Sequence, residues 1–467
     1  MTQSNVRILT GPKPYQVLQR DESNTATFTI SGTTETSSAY IYTDDGAQRK
    51  KLLVRAAYEG DNSSVETAEW KLVDLNDNGE WQTEITLPVG GPYRIDTKMV
   101  LHEYEQTGSS GDHILHLYVG DLWVIAGQSN ATGYGKGIAE DAPQLGVSCY
   151  YADGVWKVAA HPLNDATNAI YTAHIDELFV EYSPWLKFAK DVYKKTAVPI
   201  GLIPTALGGS PLCAWEPVNG KDAYLYNNMI DFINGAGEKI AGMLWYQGCS
   251  DTGNEESLTY KERFIKAIED MRAKLGNFAL ITVQLNILIE KQEDFIDENW
   301  LKVREAQRLA ANILPNSAMI TTRDIGVSDC IHNSANGCIV IGQRAALAAL
   351  GLKYGGKVRD YYHIEPINIK YIDSKKDTFV IEFNNSGDNR LLQNRSLLRD
   401  FLILDDKGEV KPKTTEIIGM SQVKICLERP TEGEATVSVG WGAQGVTPEL
   451  YDSMLRPIAA FYKWKIS

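Results

Sequence analysis

The sequence predicts an α/β fold in which a parallel sheet lies between two regions of β structure. Through the middle of the chain, apolar runs suited to buried strands alternate with helical patterns, as in a parallel sheet with helices on both faces. Before and after this part, short runs alternate between polar and apolar residues and are separated by polar turns. These observations predict an N-terminal β-sandwich-like domain at 1–117, a central α/β domain at 118–355 and a C-terminal β domain at 356–467.

The predicted elements follow in that order. Alternating runs at 26–30 and 39–42 and a hairpin turn at Asn78-Gly79 belong to the N-terminal domain. An alternating run at 378–383 belongs to the C-terminal domain. Ligands of parallel sheets bind at the carboxyl ends of the strands, so a functional site is expected there. The central domain has predicted strands at 122–126, 199–205, 241–246, 278–285 and 317–322 and predicted helices at 183–195, 260–275, 300–313 and 339–352.

The composition argues against nucleic acid and membranes as partners. The chain has 46 Lys and Arg against 60 Asp and Glu, a net charge of −14, and no basic run. Such a chain has no general attraction to phosphate backbones or anionic lipid. It contains no stretch of about 18 apolar residues that would predict a transmembrane helix.

The cysteines and the amino terminus predict a cytoplasmic protein. The first residues, MTQSNVR, show no apolar segment typical of a signal peptide, although a secreted chain whose signal had been removed would look the same. We expect reduced thiols and neither a metal nor a cofactor. The six cysteines are scattered without metal-type pair spacing, at positions 149, 213, 249, 330, 338 and 426.

Ser129 is the candidate nucleophile. The apolar run 122–126 ends at Gly127, and the serine follows at once between Gln128 and Asn130. A small polar side chain is thereby placed where a buried strand opens into a crevice. A serine in this place can also be a helix N-cap, so the hypothesis requires a base within hydrogen-bond reach.

His332 is the candidate base and Asp329 the candidate residue that orients it. Both follow the last predicted strand, at the sheet edge expected to carry Ser129. A spacing of three residues lets one turn present the carboxylate to the imidazole, although the same spacing also occurs in surface turns. The other histidines lack this combination, namely His102, His113, His116, His161, His174 and His363.

Two further strand ends carry candidate donors for an oxyanion. Gly208 and Gly209 follow the second predicted strand, where a glycine N–H can approach a ligand without a Cβ in the way. Gln247 follows the third strand, and its amide could donate to the same oxyanion as the Ser129 N–H. A tight turn and a structural hydrogen bond are the alternatives. Together, the four segments, each of which follows a strand of the predicted parallel sheet, predict a hydrolytic site.

These motifs resemble the sialate O-acetylesterase group of the SGNH (GDSL-like) hydrolases, and the resemblance covers most of the chain. It implies a flavodoxin-like three-layer fold and hydrolysis of acetyl esters on carbohydrates through an acyl-enzyme, without a metal. It implies Ser129 as nucleophile, His332 as base, and Ser129 N–H, Gly208 or Gly209, and Gln247 as the oxyanion hole. The segments that carry it are PYQVLQRD (14–21), VGDLW (119–123), PIGLIPTALGGSPLCAWEP (199–217), MLWYQGCSD (243–251) and IVIGQRAALAAL (339–350).

Three positions depart from the family pattern. Cys249 stands where the family usually has a glutamate that, in some related acetyl xylan esterases, orients the histidine, so Asp329 is expected to take that role here. Asn333 stands where proline is common, and Ala131 where methionine is usual. These changes affect the expected pocket wall, and with it the substrate, more than the chemistry.

The sequence therefore predicts a Ser-His-Asp esterase that acts on O-acetylated carbohydrate, of unknown oligomeric state. Expected substrate contacts are Gln128, Asn130, Trp215 and Tyr246, and Tyr134 is a further aromatic near the site. An esterase for acetyl xylan, a lipid or an aryl ester is one alternative. A non-catalytic glycan-binding protein on a hydrolase fold, suggested by Cys249, is another. Loops 133–180 and 286–299 are expected to decide the substrate.

Overall fold

A computed structural model describes residues 6–34, 40–43, 46–49, 51–100, 109–171, 173, 180–290, 293–356, 363–384, 390–444 and 447–467. The N-terminal part consists of strands, and β3 pairs antiparallel with both β1 and β8. Trp81, Ile85 and Leu87 of β8 pack in its core. The strands are β1 (Val6–Thr10), β2 (Val17–Gln19), β3 (Thr25–Thr34), β4 (Tyr40–Thr43), β5 (Gly46–Arg49), β6 (Lys51–Tyr58), β7 (Lys71–Val73), β8 (Glu80–Pro88) and β9 (Gly90–Val100).

One long strand, β10 (Ser109–Gly127), joins this part to the centre of the molecule. Its first half pairs antiparallel with β9, in a register that ends at Val119. Its second half, from Asp121 onward, pairs parallel with two central strands. The boundary predicted at 117–118 therefore lies inside a continuous strand, which ends next to Ser129.

The central sheet has the order β12-β11-β13-β10-β14-β15-β16. Every neighbouring pair along it is parallel except β11 and β12. The five strands predicted from apolar runs are confirmed, whereas the short β11 and β12 were not predicted. Their bounds are β11 (Val147–Tyr150), β12 (Trp156–Val158), β13 (Ile200–Pro204), β14 (Gly242–Tyr246), β15 (Ala279–Val283) and β16 (Ser317–Ile320).

Side chains of β10 alternate between two hydrophobic clusters. Leu122 and Val124 pack in the cluster that includes residues of α3, α4 and α5. Trp123 and Ile125 pack in the cluster that includes residues of α2 and α6. A strand that has apolar residues on both faces of the sheet appears in the sequence as a continuous apolar run. The helices are α1 (Ser129–Thr132), α2 (Trp185–Thr196), α3 (Tyr224–Ala236), α4 (Glu256–Leu275), α5 (Asp294–Ile313) and α6 (Ala335–Lys353).

Of the helices in the described ranges, α6 alone is long and apolar enough to cross a membrane by length and composition. The interior of the protein buries 56% of its most apolar window. Ile341 and Ala345 pack in the core cluster beside α2. Its N-cap is Ser334, whose hydroxyl accepts from the Gly337 N–H. Core packing therefore accounts for its apolar composition.

The C-terminal part is again built of strands, around a separate hydrophobic cluster that includes Phe379, Ile403 and Val437. Two four-stranded sheets have the orders β17-β18-β23-β22 and β21-β20-β24-β26, and β19 pairs with β25. The strands are β17 (Pro366–Tyr371), β18 (Thr378–Phe383), β19 (Leu391–Gln393), β20 (Phe401–Asp405), β21 (Gly408–Glu409), β22 (Pro412–Ile418), β23 (Gln422–Leu427), β24 (Thr436–Val439), β25 (Leu450–Asp452) and β26 (Phe461–Lys465).

Glu365 ties the start of the C-terminal part to α5, and we expect Glu365→Gln to destabilise the protein. Burial disfavours its charge, but His363 and Arg308 outweigh burial and lower the pKa of Glu365 from 4.5 to about 2. Asn312 Nδ2 also donates to the carboxylate, at 2.8 and 2.9 Å from its two oxygens. The depressed pKa stabilises the folded state above pH about 4.5, and this contribution is lost as pH falls towards 2.

The expected loss in Glu365→Gln is about 3 kcal/mol in the free energy of unfolding at pH 7, because the folded protein stabilises the charged carboxylate more than the unfolded chain does. Urea denaturation of both proteins at several pH values measures the difference. The difference should shrink steadily below pH about 4.5. A difference that stays constant down to pH 3 would show that the carboxylate charge is not what stabilises this contact.

Candidate active site

The turn after β10 presents Ser129 at the carboxyl end of the central sheet. Gly127 has φ +126°, and a Cβ there would lie 2.2 Å from the carbonyl oxygen of Tyr246, so only glycine fits. Ser129 then opens the short helix α1 and keeps 8% of its surface exposed. The close approach of β10 and β14 thus fixes the turn that carries the serine.

His332 and Asp329 lie beside Ser129 in the arrangement expected from the sequence. The Oγ of Ser129 is 2.9 Å from Nε2 of His332. The opposite ring nitrogen, Nδ1, is 2.8 Å from Oδ2 of Asp329. The three side chains therefore form one hydrogen-bonded row, in which the imidazole can take the hydroxyl proton while the carboxylate fixes its orientation.

Asp329 is held as a carboxylate by its own turn. Burial raises its pKa, but the N–H groups of His332 and Ile331 donate to Oδ1 at 2.8 and 2.9 Å, and the imidazole bonds to Oδ2. These bonds outweigh burial, and the pKa of Asp329 lies below its ordinary value. A fixed negative charge is therefore available next to the imidazole at neutral pH.

Tyr134 covers one face of the imidazole. Its ring centroid lies 5.0 Å from that of His332, with the planes 28° apart. The tyrosine is partly exposed, unlike most aromatic residues of the central core. It therefore limits how the histidine can rotate and also offers an aromatic surface at the edge of the site.

A network of asparagines docks the loop 327–333, here called the histidine loop, onto the nucleophile turn. The N–H and Nδ2 of Asn333 both donate to Oδ1 of Asn130, each at 2.9 Å. Asn130 Nδ2 donates to the carbonyl of Ile331 at 3.2 Å. Asn286 Nδ2 donates to the same carbonyl at 2.6 Å. His332 is therefore anchored through both of its neighbours in the chain.

Backbone N–H groups are the available donors for an oxyanion. The loop after β13 is held against the nucleophile turn, because Leu207 N–H and Ser210 Oγ both donate to the carbonyl of Gly127, at 3.1 and 3.2 Å. In this loop, Gly209 has φ +67° and open space where a Cβ would be. Among the described residues, no protein acceptor faces the N–H of Ser129 or of Gly209. Gly208 directly precedes Gly209 in the loop after β13.

The structure does not support the prediction that Gln247 donates to the oxyanion. Its side chain is fully buried, and Nε2 donates to the carbonyl of Ser210 at 3.2 Å and to Asp251 Oδ2 at 2.5 Å. Its Oε1 accepts from the hydroxyl of Tyr260 at 2.9 Å. Both amide hydrogens are thus engaged below the site, where they hold the β14 loop against the loop after β13.

The four residues predicted as substrate contacts all have buried side chains in the structure, and their contact with a substrate stays a prediction. Trp215 is fully buried and donates to Ser210 Oγ at 3.2 Å, and Tyr246 is 1% exposed and accepts from Asn333. Gln128 is 4% exposed, and its Oε1 accepts from the Gly248 N–H at 2.8 Å. Asn130 is 3% exposed and belongs to the asparagine network. These residues shape the site from within.

In the described part of the chain, the Cys249 thiol is not among the hydrogen-bond partners of Ser129, His332 or Asp329. Burial raises the pKa of its thiol to about 12, so it stays protonated. Of the other histidines, His116 pairs with Glu59, His161 with Asp141 and His363 with Glu365. His102 and His174 lie outside the described residues. Within the described ranges, no group of three His, Cys, Asp or Glu side chains could hold a metal ion.

Sequence reasoning missed Asn286 as a residue of this site. It follows a predicted strand directly, so the rule that picked out Gly208 and Gln247 could have found it. The position of Asn333 next to the histidine was noted as a departure, but not its bonds to Asn130. The strand-end rule points to the position of Asn286, but the bonding partners of Asn286 and Asn333 depend on which loops meet above the sheet.

Comparisons with known proteins identify a family and several relatives. Residues 119–351 match the family described as carbohydrate esterase, sialic acid-specific acetylesterase. A probable carbohydrate esterase of Arabidopsis thaliana is 26% identical over 253 residues, which cover 49% of this chain and 90% of that protein. Sialate O-acetylesterase of Homo sapiens is 24% identical over 367 residues, which cover 64% of this chain and 68% of that protein.

One solved structure is similar over nearly the whole chain. A carbohydrate acetylesterase from Xanthomonas citri superposes with a TM-score of 0.65 at 20% identity, covering 96% of this chain and 97% of that one. The similarity extends through the N-terminal and C-terminal strands as well as the central sheet. At this identity it shows a shared fold of mixed α/β type.

Proposed function

Because the chain belongs, through residues 119–351, to the sialic acid-specific acetylesterase family of carbohydrate esterases, we propose that it removes acetyl groups from sugar hydroxyls by a Ser-His-Asp mechanism. The observation that carries the proposal is the row from Ser129 Oγ to His332 Nε2 and from Nδ1 to Asp329, with distances of 2.9 and 2.8 Å. The chain is an ester hydrolase, and this row is the one group of described residues at the sheet edge that combines a nucleophile, a base and an orienting carboxylate.

In the first half of the reaction, Ser129 Oγ attacks the acetyl carbonyl while its proton passes to His332 Nε2. The imidazolium that forms is stabilised by Asp329. The negative oxygen of the tetrahedral intermediate would lie against the N–H groups of Ser129 and Gly209, with Gly208 as the alternative donor. Collapse breaks the bond to the sugar oxygen, which takes the proton from His332 and leaves as an alcohol.

In the second half, water attacks the acetyl group on Ser129 and gives a proton to His332. Collapse of the second intermediate breaks the bond to Oγ, which recovers the proton, and acetate leaves. All protons move between serine, imidazole, sugar and water, so the chain's own residues suffice for every step.

We further propose that the central part is a flavodoxin-like three-layer SGNH fold and that the acetylated sugar is a sialic acid. The two hydrophobic clusters on either side of β10 support the first statement. The description of the matched family and the name of the human relative support the second. An esterase for acetylated xylan is the alternative within the same chemistry. A glycan-binding protein without activity is disfavoured, because the catalytic row is intact despite Cys249.

Acetate release from a panel of esters tests the proposal. The panel contains O-acetylated sialic acid, acetylated xylan oligosaccharides and a simple aryl acetate. We expect release from the sialic acid at a kcat/KM above that for the other two. A preference for the xylan oligosaccharides would reject the sialic acid and keep the esterase. No release from any of the three, with folded protein, would reject carbohydrate deacetylation.

A further inference from the structure

Arg304 is a charged residue buried between the central sheet and the C-terminal part. It lies on α5, is fully excluded from solvent and forms no ion pair with a carboxylate among the described residues. Burial, with the neighbouring Arg323 cation, lowers the pKa of Arg304 to about 9, which leaves it charged at neutral pH. A buried charge without a carboxylate partner requires other strong contacts to be tolerated.

Those contacts are four backbone carbonyls in two separate parts of the chain. Nε of Arg304 donates to Leu285 at 2.9 Å, and Nη2 donates to Asn286 at 2.6 Å. Nη1 donates to Gly440 at 2.9 Å and to Gly442 at 3.1 Å. The planar guanidinium thus fixes the loop after β15 to the loop after β24 of the C-terminal part. A lysine, with one ammonium group, could not reproduce this fork.

The loop after β15, residues 285–289, is here called the bridging loop, and its other side holds the histidine loop. Asn286 Nδ2 donates to the carbonyl of Ile331 at 2.6 Å and lies 3.3 Å from Asn333 Oδ1. These two residues flank His332. Asn286 is fully buried, so no water competes for these bonds.

Backbone bonds of Leu288 and Ile289 also join the C-terminal part to the histidine loop through the bridging loop. Leu288 N–H donates to the carbonyl of Ala443 at 2.8 Å, on the side of the C-terminal part. Ile289 N–H donates to the carbonyl of Cys330 at 2.8 Å, on the side of the histidine loop. Successive residues of the bridging loop therefore bond in opposite directions, and the loop cannot move without disturbing one of its two neighbours.

We infer that the C-terminal β part positions the catalytic histidine, through loop 440–443, Arg304 and the bridging loop. Arg304 and Asn286 are positioning residues in this arrangement, since neither reaches the reacting atoms. The inference rests on one part of the proposed function, namely that His332 is the catalytic base. Its physical basis is that a misplacement of about 1 Å of a catalytic group can slow a reaction by about 100-fold.

The test measures how fast Ser129 reacts with a fluorophosphonate, which needs no assumption about the natural ester. Serine Oγ displaces fluoride from phosphorus and its proton passes to His332, so the labelling rate reports the alignment of the pair. Labelling is followed by intact-protein mass at a temperature well below the melting point of each variant. We expect Arg304→Met and Asn286→Ala each to label at least about 10-fold more slowly than the wild type. The double variant should be no slower than the slower single variant.

Asn312→Ala is the matched control. Asn312 lies on the same helix and bonds to Glu365 of the C-terminal part, but it has no contact with the bridging loop. It should lose stability and keep the wild-type labelling rate. If Arg304→Met does not fold, Asn286→Ala carries the test, because it removes only one side-chain donor.

The outcomes separate this inference from the proposed function. Wild-type labelling rates in folded Arg304→Met or Asn286→Ala would overturn the inference, as would a double variant whose loss is the product of the two single losses. Slow labelling of both variants, with a wild type that releases no acetate from the ester panel, would reject the proposed substrate and support the inference. A wild type that is not labelled at all would overturn both.

Discussion

Replacing Ser129 with alanine should abolish acetate release, with a fall in kcat of about 10⁴-fold or more. The hydroxyl is the atom that bonds to the acetyl carbon, and no other hydroxyl is bonded to the imidazole among the described residues. The alanine fits the same turn, so the variant should fold and melt within a few degrees of the wild type. Acetate release is measured on the best ester of the panel.

Ser257→Ala serves as the control for this variant. Ser257 is a buried serine on α4 whose hydroxyl has no hydrogen-bond partner in the described part of the chain. Its replacement should leave kcat within about 2-fold, because no transition-state contact is lost. Activity that persists in Ser129→Ala above the level of a contaminant would mean that another residue is the nucleophile.

Asp329→Asn should lower kcat by roughly 10³- to 10⁴-fold while the protein stays folded. The amide keeps the shape of the carboxylate, and its oxygen can still accept from the N–H groups of Ile331 and His332. It removes the negative charge that stabilises the imidazolium, and its NH₂ favours the wrong tautomer when it faces Nδ1. Because the pKa of Asp329 lies below its ordinary value, the wild-type carboxylate keeps its charge in mildly acidic as well as neutral solution.

Asp191→Asn tests whether loss of any carboxylate would have the same effect. Asp191 pairs with Lys187 one turn earlier on α2, at the surface, and such pairs contribute little to stability or activity. We expect kcat of this variant to equal that of the wild type. A loss of less than about 10-fold in Asp329→Asn would show that the histidine is oriented by another group.

The central sheet could be predicted from the sequence because its strands are buried on both faces. Such strands form continuous apolar runs, and all five predicted runs became strands. The strands β11 and β12 were missed because they are short, and the second is antiparallel at the edge of the sheet. The predicted domain boundary at 117–118 divides the long strand β10, because its pairing partner changes there from β9 to β13 and β14, which no local pattern reveals.

The order of polar residues after strands was enough to predict that Ser129, Asp329 and His332 lie at the same edge of the sheet. It was not enough to tell in which direction a side chain points after a strand ends. Gln247 follows β14 at the right edge, yet its amide turns inward to Ser210 and Asp251. Trp215 and Tyr246 are predicted near the site because aromatic rings suit sugar faces, and the structure buries both rings. Those choices depend on contacts between distant parts of the chain.

The continuity of β10 has a consequence for how separable the parts of this molecule are. One uninterrupted strand, β10, contains both the residues that pair with β9 and the residues that lead to the nucleophile. A truncation that discards everything before residue 118 would cut that segment in the middle and remove β2, which pairs with it at 118–120. The catalytic region and the N-terminal strands are therefore not interchangeable modules. A fusion protein that carries the catalytic region should therefore include the N-terminal strands as well.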